Sequence, residues 1–188
     1  KQKKGMIFTI VAILLVGVLI ASVALVARTT YMQKSFVAIS RVDTMNDFIL
    51  SVNEDAKRNL LISSHIAIIS LQKHIATNHS FLSDSDLKFQ EIVINGTIEG
   101  VEQDLMPNAS INDWVSRINA EANKLNINIA ILPVSVRAYP ISPWEIMIEL
   151  NATINMTDFN NLASWYYNKS FTKSVEIVGF EDPIYTVK

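Results

Sequence analysis

The sequence predicts an α+β protein: a long N-terminal helix, wholly apolar at first and amphipathic beyond, with an antiparallel sheet and short helices packed at its distal end. Three observations predict it. An uncharged apolar run fills residues 6–27, apolar side chains recur at helical spacing from there to about residue 75, and apolar and polar side chains alternate over residues 144–157.

Composition sets the outer limits. A chain of 188 residues holds one packed domain and an anchor, but not two large domains. The apolar fraction of 49% is unevenly spread, with most of the excess in the first segment. The formal net charge is −2, and Lys and Arg are scattered beyond the first few residues, so no basic surface points to a nucleic-acid partner. Cysteine is absent, which excludes both a disulfide framework and a thiolate metal site.

Lys1, Lys3 and Lys4 precede Gly5, and Met6 to Ala27 then runs without a charge until Arg28. At ~1.5 Å per residue, these roughly 22 residues span about 33 Å, enough for a hydrocarbon core of about 30 Å. A cleaved secretory signal has a shorter apolar core, about 7–15 residues. The clustered lysines favour the cytoplasmic side and send everything after Arg28 outward, a cell-envelope location with the N-terminus inside. Gly17, Ala21 and Ala24 gather small side chains on the outer half of the helix. They fit either a helix-packing face or the small residues a lone anchor tolerates.

A short basic stretch, one glycine and a long hydrophobic helix resemble a type IV prepilin leader. Through Lys3-Lys4-Gly5-Met6-Ile7-Phe8-Thr9 and the run behind it, the chain is similar to archaeal type IV pilin-like proteins with a class III signal peptide. The resemblance implies cleavage between Gly5 and Met6, and a helix that first holds the subunit in the membrane and then packs with its copies into a filament core. It also implies a prepilin peptidase, an assembly ATPase and a platform protein as partners. Many pilins carry glutamate at the fifth mature position, where this chain has Ile10.

Beyond the anchor, residues 28–77 read as an amphipathic helical stalk. No proline or glycine falls between Thr29 and Ile75, and Met32, Phe36, Ile39, Val42, Met45, Ile49, Val52, Ala56 and Leu60 recur at gaps of three or four. They form one apolar stripe, with Gln33, Lys34, Arg41, Asp47 and Lys57 off it. A helix of roughly 45 residues is long for an ordinary domain, so a kink or turn is expected near Ser63-Ser64. The stripe suits a pilin stalk carrying its own sheet, a coiled-coil dimer, or the first helix of a sensor bundle.

Residues 78–188 read as an extracellular α+β head. Ser83 to Asp86 are placed to cap a short helix over Leu87–Val93, and Asn95-Gly96 forms a turn. Ser110 with Asp113 three residues on is a capping-box start to a helix running to about Leu125, with Ile111, Trp114, Ile118, Ala122 and Leu125 on one face. Ile127, Ile129 and Ile131 alternate, Pro133 disturbs the pattern, and Val134 and Val136 resume it at shifted phase, the mark of a bulged strand. Pro140 and Pro143 then mark a turn. Trp144, Ile146, Ile148, Leu150, Ala152, Ile154 and Met156 make the buried face of the next strand. Asp158 to Asn168 reads as a short helix with Leu162 and Trp165 inward, and Lys173 to Phe180 as a last strand. The ending Gly179-Phe180-Glu181-Asp182-Pro183-Ile184-Tyr185 is similar to a signature of uncharacterised archaeal surface proteins with the same leader, to which no activity is attached.

Asn78, Asn95, Asn108, Asn151, Asn155 and Asn168 each open an Asn-X-Ser/Thr triplet without proline, more than the roughly two expected by chance. All lie beyond the anchor, as expected for a glycosylated head. Catalytic groupings are not found. His65, His74 and His79 are nine and five apart, unlike a two-imidazole metal pair at i, i+4. Gly96 and Gly100 bracket Ile98, so no serine elbow exists, and five scattered glycines make no phosphate loop. Asp84 and Asp86 lack the rest of a calcium loop. No cofactor, metal or catalytic residue is therefore expected. The expected role is a structural subunit of a type IV pilus-like surface filament, polymerising through its apolar helix and exposing a glycosylated head for adhesion. The alternative is a membrane-anchored receptor or sensor that does not polymerise. A membrane-anchored hydrolase ranks far below both.

Overall fold

The computed structural model describes residues 2–180; the Glu181-Asp182-Pro183-Ile184-Tyr185 ending lies outside the described residues. The fold is α+β, as the periodicities require. A long helix, α1 (Gln2–Asn78), is followed by α2 (Ser85–Asn95), a short hairpin β1 (Thr97–Ile98) and β2 (Val101–Glu102), and α3 (Ile111–Lys124). Three long strands close the chain: β3 (Ile127–Ser142), β4 (Glu145–Asp158) and β5 (Ser164–Glu176), antiparallel with β4 central. The chain divides into two compact units, Lys1–Thr44 and Met45–Lys188.

The first unit is helical from Gln2, and its described large apolar side chains between Phe8 and Val26 are exposed. Two hydroxyls in and next to the apolar run are satisfied locally. Ser22 donates to the Leu19 carbonyl at 2.8 Å and Thr29 to the Val26 carbonyl at 2.9 Å, so neither presents an unpaired donor to an apolar surrounding.

In the second unit the rest of α1 is the core helix. Met45, Ile49, Val52, Ala56, Leu60 and Ala67 are buried, the stripe the three-four spacing marks out. Much of that face is small. Ala56, Ser63, Ser64, Ala67 and Ser70 are all buried and let neighbouring elements approach the helix axis closely. The expected break at Ser63-Ser64 does not occur, and α1 runs through both. Ser63 works in packing: its hydroxyl donates to the Ala109 carbonyl and accepts from Asn59 Nδ2 at 3.2 Å. Arg117 of α3 donates to Asn59 Oδ1 at 3.2 Å and to the Asn108 carbonyl at 3.0 Å, and Trp114 Nε1 to Asp55 Oδ2 at 2.8 Å. This polar seam sets the register of α3 on α1.

α3 starts with the expected capping box, Ser110 and Asp113 each binding the other's backbone amide. It buries Ile111, Trp114 and Ala122, while Leu125 stays largely exposed. Asn126 then takes φ 54°, the left-handed conformation asparagine tolerates at a helix end, and its carbonyl accepts from Phe159 N at 3.2 Å. α2 departs from expectation at its start. Asp84 sits at the cap with φ 52° and makes no side-chain capping bond. Its end is as the Asn95-Gly96 pair predicts. Gly96 takes φ 78°, and an added Cβ would come within 3.2 Å of Met106 Cβ, so both conformation and space call for glycine.

β4 alternates along its whole length, burying Ile148, Leu150, Ala152, Ile154 and Met156, though Trp144 lies outside the strand and is 66% exposed. β3 pairs with β4 through a register shift between Pro133 and Ser135, the predicted bulge. After it Val136 is buried, while Val134 is exposed rather than facing the core. Pro140 is not in the turn. It lies within β3 and the turn is Pro143-Trp144 alone. Both Pro133 and Pro140 lie on β3, an edge strand, where a missing donor is tolerated.

The expected helix over 158–168 is replaced by a turn and the first part of β5. Asp158, buried at the end of β4, accepts through Oδ2 from Asn160 N at 2.8 Å, and Asn161 turns the chain at φ 55°. Leu162 is exposed in that turn, and Trp165, Tyr167 and Phe171 follow at strand period on the inner face of β5. The last strand thus begins at Ser164 rather than Lys173, and ends at Glu176.

The core joins the buried stripe of α1 to Phe89, Ile92 and Val93 of α2, to α3, and to the inner face of the sheet. Leu60 is fully buried near the middle of that stripe. Leu60→Ala is expected to lower the unfolding free energy of the head by about 2–5 kcal/mol, read as a reduced midpoint in denaturant. A change below about 1 kcal/mol would show that α1 is not a core element.

Candidate functional site

Two surfaces hold the residues that the sequence singles out, one in each unit. The first is the apolar side of the N-terminal helix. Phe8, Leu14, Leu15, Val18, Leu19 and Ile20 are each more than half exposed, and within α1 lies a segment long and apolar enough to cross a membrane, with none of that window buried. Gly5 and Met6 lie inside α1, so a peptidase acting between them must first open the helix's opening turns. A Cβ added at Gly17 would meet nothing within 4 Å, and Ala21 and Ala24 are exposed as well. Among the described residues, no packing partner meets this small-residue face.

The exposed apolar face does not stop with the uncharged run. Tyr31, Met32, Phe36, Val37 and Ile39 are 58–75% exposed, past Arg28.

The second surface is the outer face of the sheet. Strand alternation sends Glu149, Asn151, Thr153, Asn155 and Thr157 of β4 away from the core, beside Tyr166, Asn168, Ser170 and Thr172 of β5. Three of the six sequons therefore meet on one face. Thr153 pairs with Asn168 and donates to its Oδ1 at 2.8 Å. Asn151 is only half exposed, and its Nδ2 donates to Ser135 Oγ at 3.3 Å. Asn155 is exposed, with Tyr166 as its cross-strand neighbour.

The other three sequons sit apart, at element ends. Asn78 closes α1, where its Nδ2 lies 2.8 Å from His74 Nε2. Asn95 closes α2 and accepts from Asn112 Nδ2 at 2.8 Å. Asn108 is exposed at φ 63° ahead of α3, but the hydroxyl of its sequon, on Ser110, is committed to the capping box.

The three histidines lie apart. His65 lies edge-on to the Phe180 ring, centroids 5.1 Å apart, while His74 lies near the end of α1 and His79 just beyond it. Among the described residues no group of three His, Asp or Glu is placed to hold a metal ion. A cleft between the last turns of α1 and the β1–β2 hairpin is lined by Lys73, His74, Gln103 and Asp104 together with the apolar Ile98 and Leu105. Lys73 Nζ meets Asp104 Oδ2 at 2.8 Å, and that bond holds the Asp104 carboxyl below the ordinary carboxylate range.

The tightest electrostatic arrangement is one that sequence patterning does not flag. Burial would raise the Glu91 carboxyl, but hydrogen bonds from Gly100 N, the Thr97 hydroxyl and Glu99 N outweigh it and hold the group below its usual value. The distances are 2.8, 2.9 and 3.1 Å. One carboxylate thereby ties the hairpin, with Glu99 and Gly100 both at positive φ, to α2. The pattern holds no signal for it, because a glutamate near a helix end resembles any solvated charge.

Comparison with protein-family models, with curated proteins and with solved structures found no match. The class of protein is therefore defined by the architecture alone: an α+β head whose core helix belongs to a long helix with an uncovered apolar N-terminal segment.

Because the folded-state value of Glu91 is depressed, its contribution to stability is present above the unfolded carboxylate value of about 4.3 and is lost as pH falls through the folded value. Glu91→Gln is expected to cost about 0.5–1 kcal/mol near neutral pH, the site being partly open to solvent, with the gap from the parent closing under acid. Denaturant titrations at several pH values check this; a gap independent of pH would refute the clamp.

Proposed function

We propose that this chain is a structural subunit of an archaeal type IV pilus-like surface filament, polymerising through its N-terminal hydrophobic helix and exposing a glycosylated head for adhesion. One observation carries the reading. The apolar face of the first unit is uncovered both within the uncharged run and beyond it, at Tyr31, Met32, Phe36 and Ile39. Lipid alone accounts for the part up to Ala27. The part past Arg28 lies on the watery side of such a span, where covering it takes protein, and a parallel copy of the same helix offers the matching stripe.

The leader-like start of the chain supports the same reading. Gly5 followed by Met6 is the junction a prepilin peptidase would cut, and the clustered lysines before it favour a cytoplasmic N-terminus, with the head outside. In this account the membrane holds the subunit first, and copies of the subunit replace lipid on assembly by an ATPase and platform protein. The six sequons and the polar outer sheet face suit a sugar-bearing head. In this reading the chain is not an enzyme, and no cofactor enters the account.

Electron microscopy of cells making the full chain tests this directly. Filaments containing the chain are expected, and they should disappear in a Phe36→Asp, Ile39→Asp variant whose head still folds. Replacing Gly5 with Leu should leave residues 1–5 attached and the subunit in the membrane. A chain that stays monomeric in the membrane, whatever stands at positions 5, 36 and 39, would instead be a surface receptor or sensor.

A further inference from the structure

We infer that Asn155 is a built N-glycan site, with the exposed ring of Tyr166 serving as the platform for the first sugar. The inference rests on the glycosylated-head reading and makes it specific. Asn155 and Tyr166 are direct partners across β4 and β5, and side chains so paired on one sheet face stand about 4.5–5.5 Å apart at Cβ. Tyr166 is 73% exposed, and its outward neighbours on β4 and β5 are Thr153, Thr157, Ser164 and Asn168, while the apolar Leu132 and Tyr139 of the same face stand on β3. The third partner in the row, across β3, is Ala130, whose methyl leaves the space beside Asn155 open.

The other two sequons on this face are differently placed. The Asn151 amide is half-buried and bound to Ser135, and Asn168 is held through Oδ1 by Thr153, which is itself the hydroxyl residue of the Asn151 sequon. Neither has an aromatic partner: Asn151 pairs with Ser170 and Ser135, Asn168 with Thr153. A pyranose presents a face of C–H bonds carrying slight positive charge, and an aromatic ring offers a negative face to it. A sugar on Asn155 Nδ2 therefore finds a stacking surface across the ladder, and one on Asn151 or Asn168 does not.

The attachment itself is a substitution with no redox change. The Asn155 Nδ2–C1 bond forms as the C1–O bond to the phosphate of a polyprenyl-phosphate-linked sugar donor breaks, and one amide proton is released as the phosphate leaves. The sequon hydroxyl is Thr157, two residues on along the same strand.

The test uses the full chain, made in cells with an N-glycosylation pathway and purified in detergent. Glycopeptide mass spectrometry should find sugar at Asn155, at higher occupancy than at Asn151 or Asn168. Thermal unfolding is then compared for the parent, Tyr166→Ala, Asn155→Gln and the double variant. Tyr166→Ala should lower Tm by about 2–5 °C in the sugar-bearing chain and by clearly less in the Asn155→Gln background, while Tyr166→Phe, which keeps the ring, should match the parent. Equal losses in both backgrounds would overturn the platform. Sugar on other sequons with Asn155 bare would overturn this site alone, and six bare asparagines would overturn it together with the glycosylated head.

Discussion

The dominant physical constraint is the exclusion from water of the apolar face between Phe8 and Val26. Among the described residues twelve large apolar side chains there are exposed, and covering each is worth about 1.5–3 kcal/mol, roughly 18–36 kcal/mol together. A whole domain is typically stable by only about 5–15 kcal/mol. Where this chain resides is therefore set by its first helix, and the head goes where that helix goes. The locally bonded hydroxyls of Ser22 and Thr29 remove the main polar objection to a water-free environment.

The head solves a separate problem, which is to build one core around a single long helix without cysteine. Its answer is close packing. The small buried residues of α1 allow near approach, the α1–α3 seam through Asp55, Asn59 and Ser63 fixes the register, and the central strand β4 supplies an unbroken inner row from Ile148 to Met156. Pro133 and Pro140 sit on β3, an edge strand, where a missing donor is tolerated. The outer face, freed from packing duty, carries mostly amides and hydroxyls on β4 and β5, with Leu132 and Tyr139 exposed on β3.

What the sequence makes legible is what periodicity encodes. The apolar run, the stripe of α1, the capping box of α3, the bulge at Pro133 and the alternation of β4 each follow from spacing that physics reads the same way in any chain. The misses share a cause. Between Asp158 and Asn168, Leu162 and Trp165 stand three apart and mimic a helix, while the strand period of Trp165, Tyr167 and Phe171 is the signal that wins, because Asp158 and Asn161 make a turn before it. Ser63 and Ser64 look like a break point until a partner for Ser63, on a loop far along the chain, absorbs its hydroxyl. The pairing of Asn155 with Tyr166 depends on strand register, which a sequon pattern does not contain. All six sequons were legible; their sorting into a shared sheet face and isolated helix ends was not.

The absence of cysteine from the chain makes the central claim directly measurable. A single Leu15→Cys variant and a single Ser174→Cys variant, each expressed in cells, can be challenged with a membrane-impermeant maleimide. Residue 15 should stay unlabelled until detergent is added, and residue 174 should label on intact cells. Ready labelling of residue 15 in a soluble monomer would contradict the account.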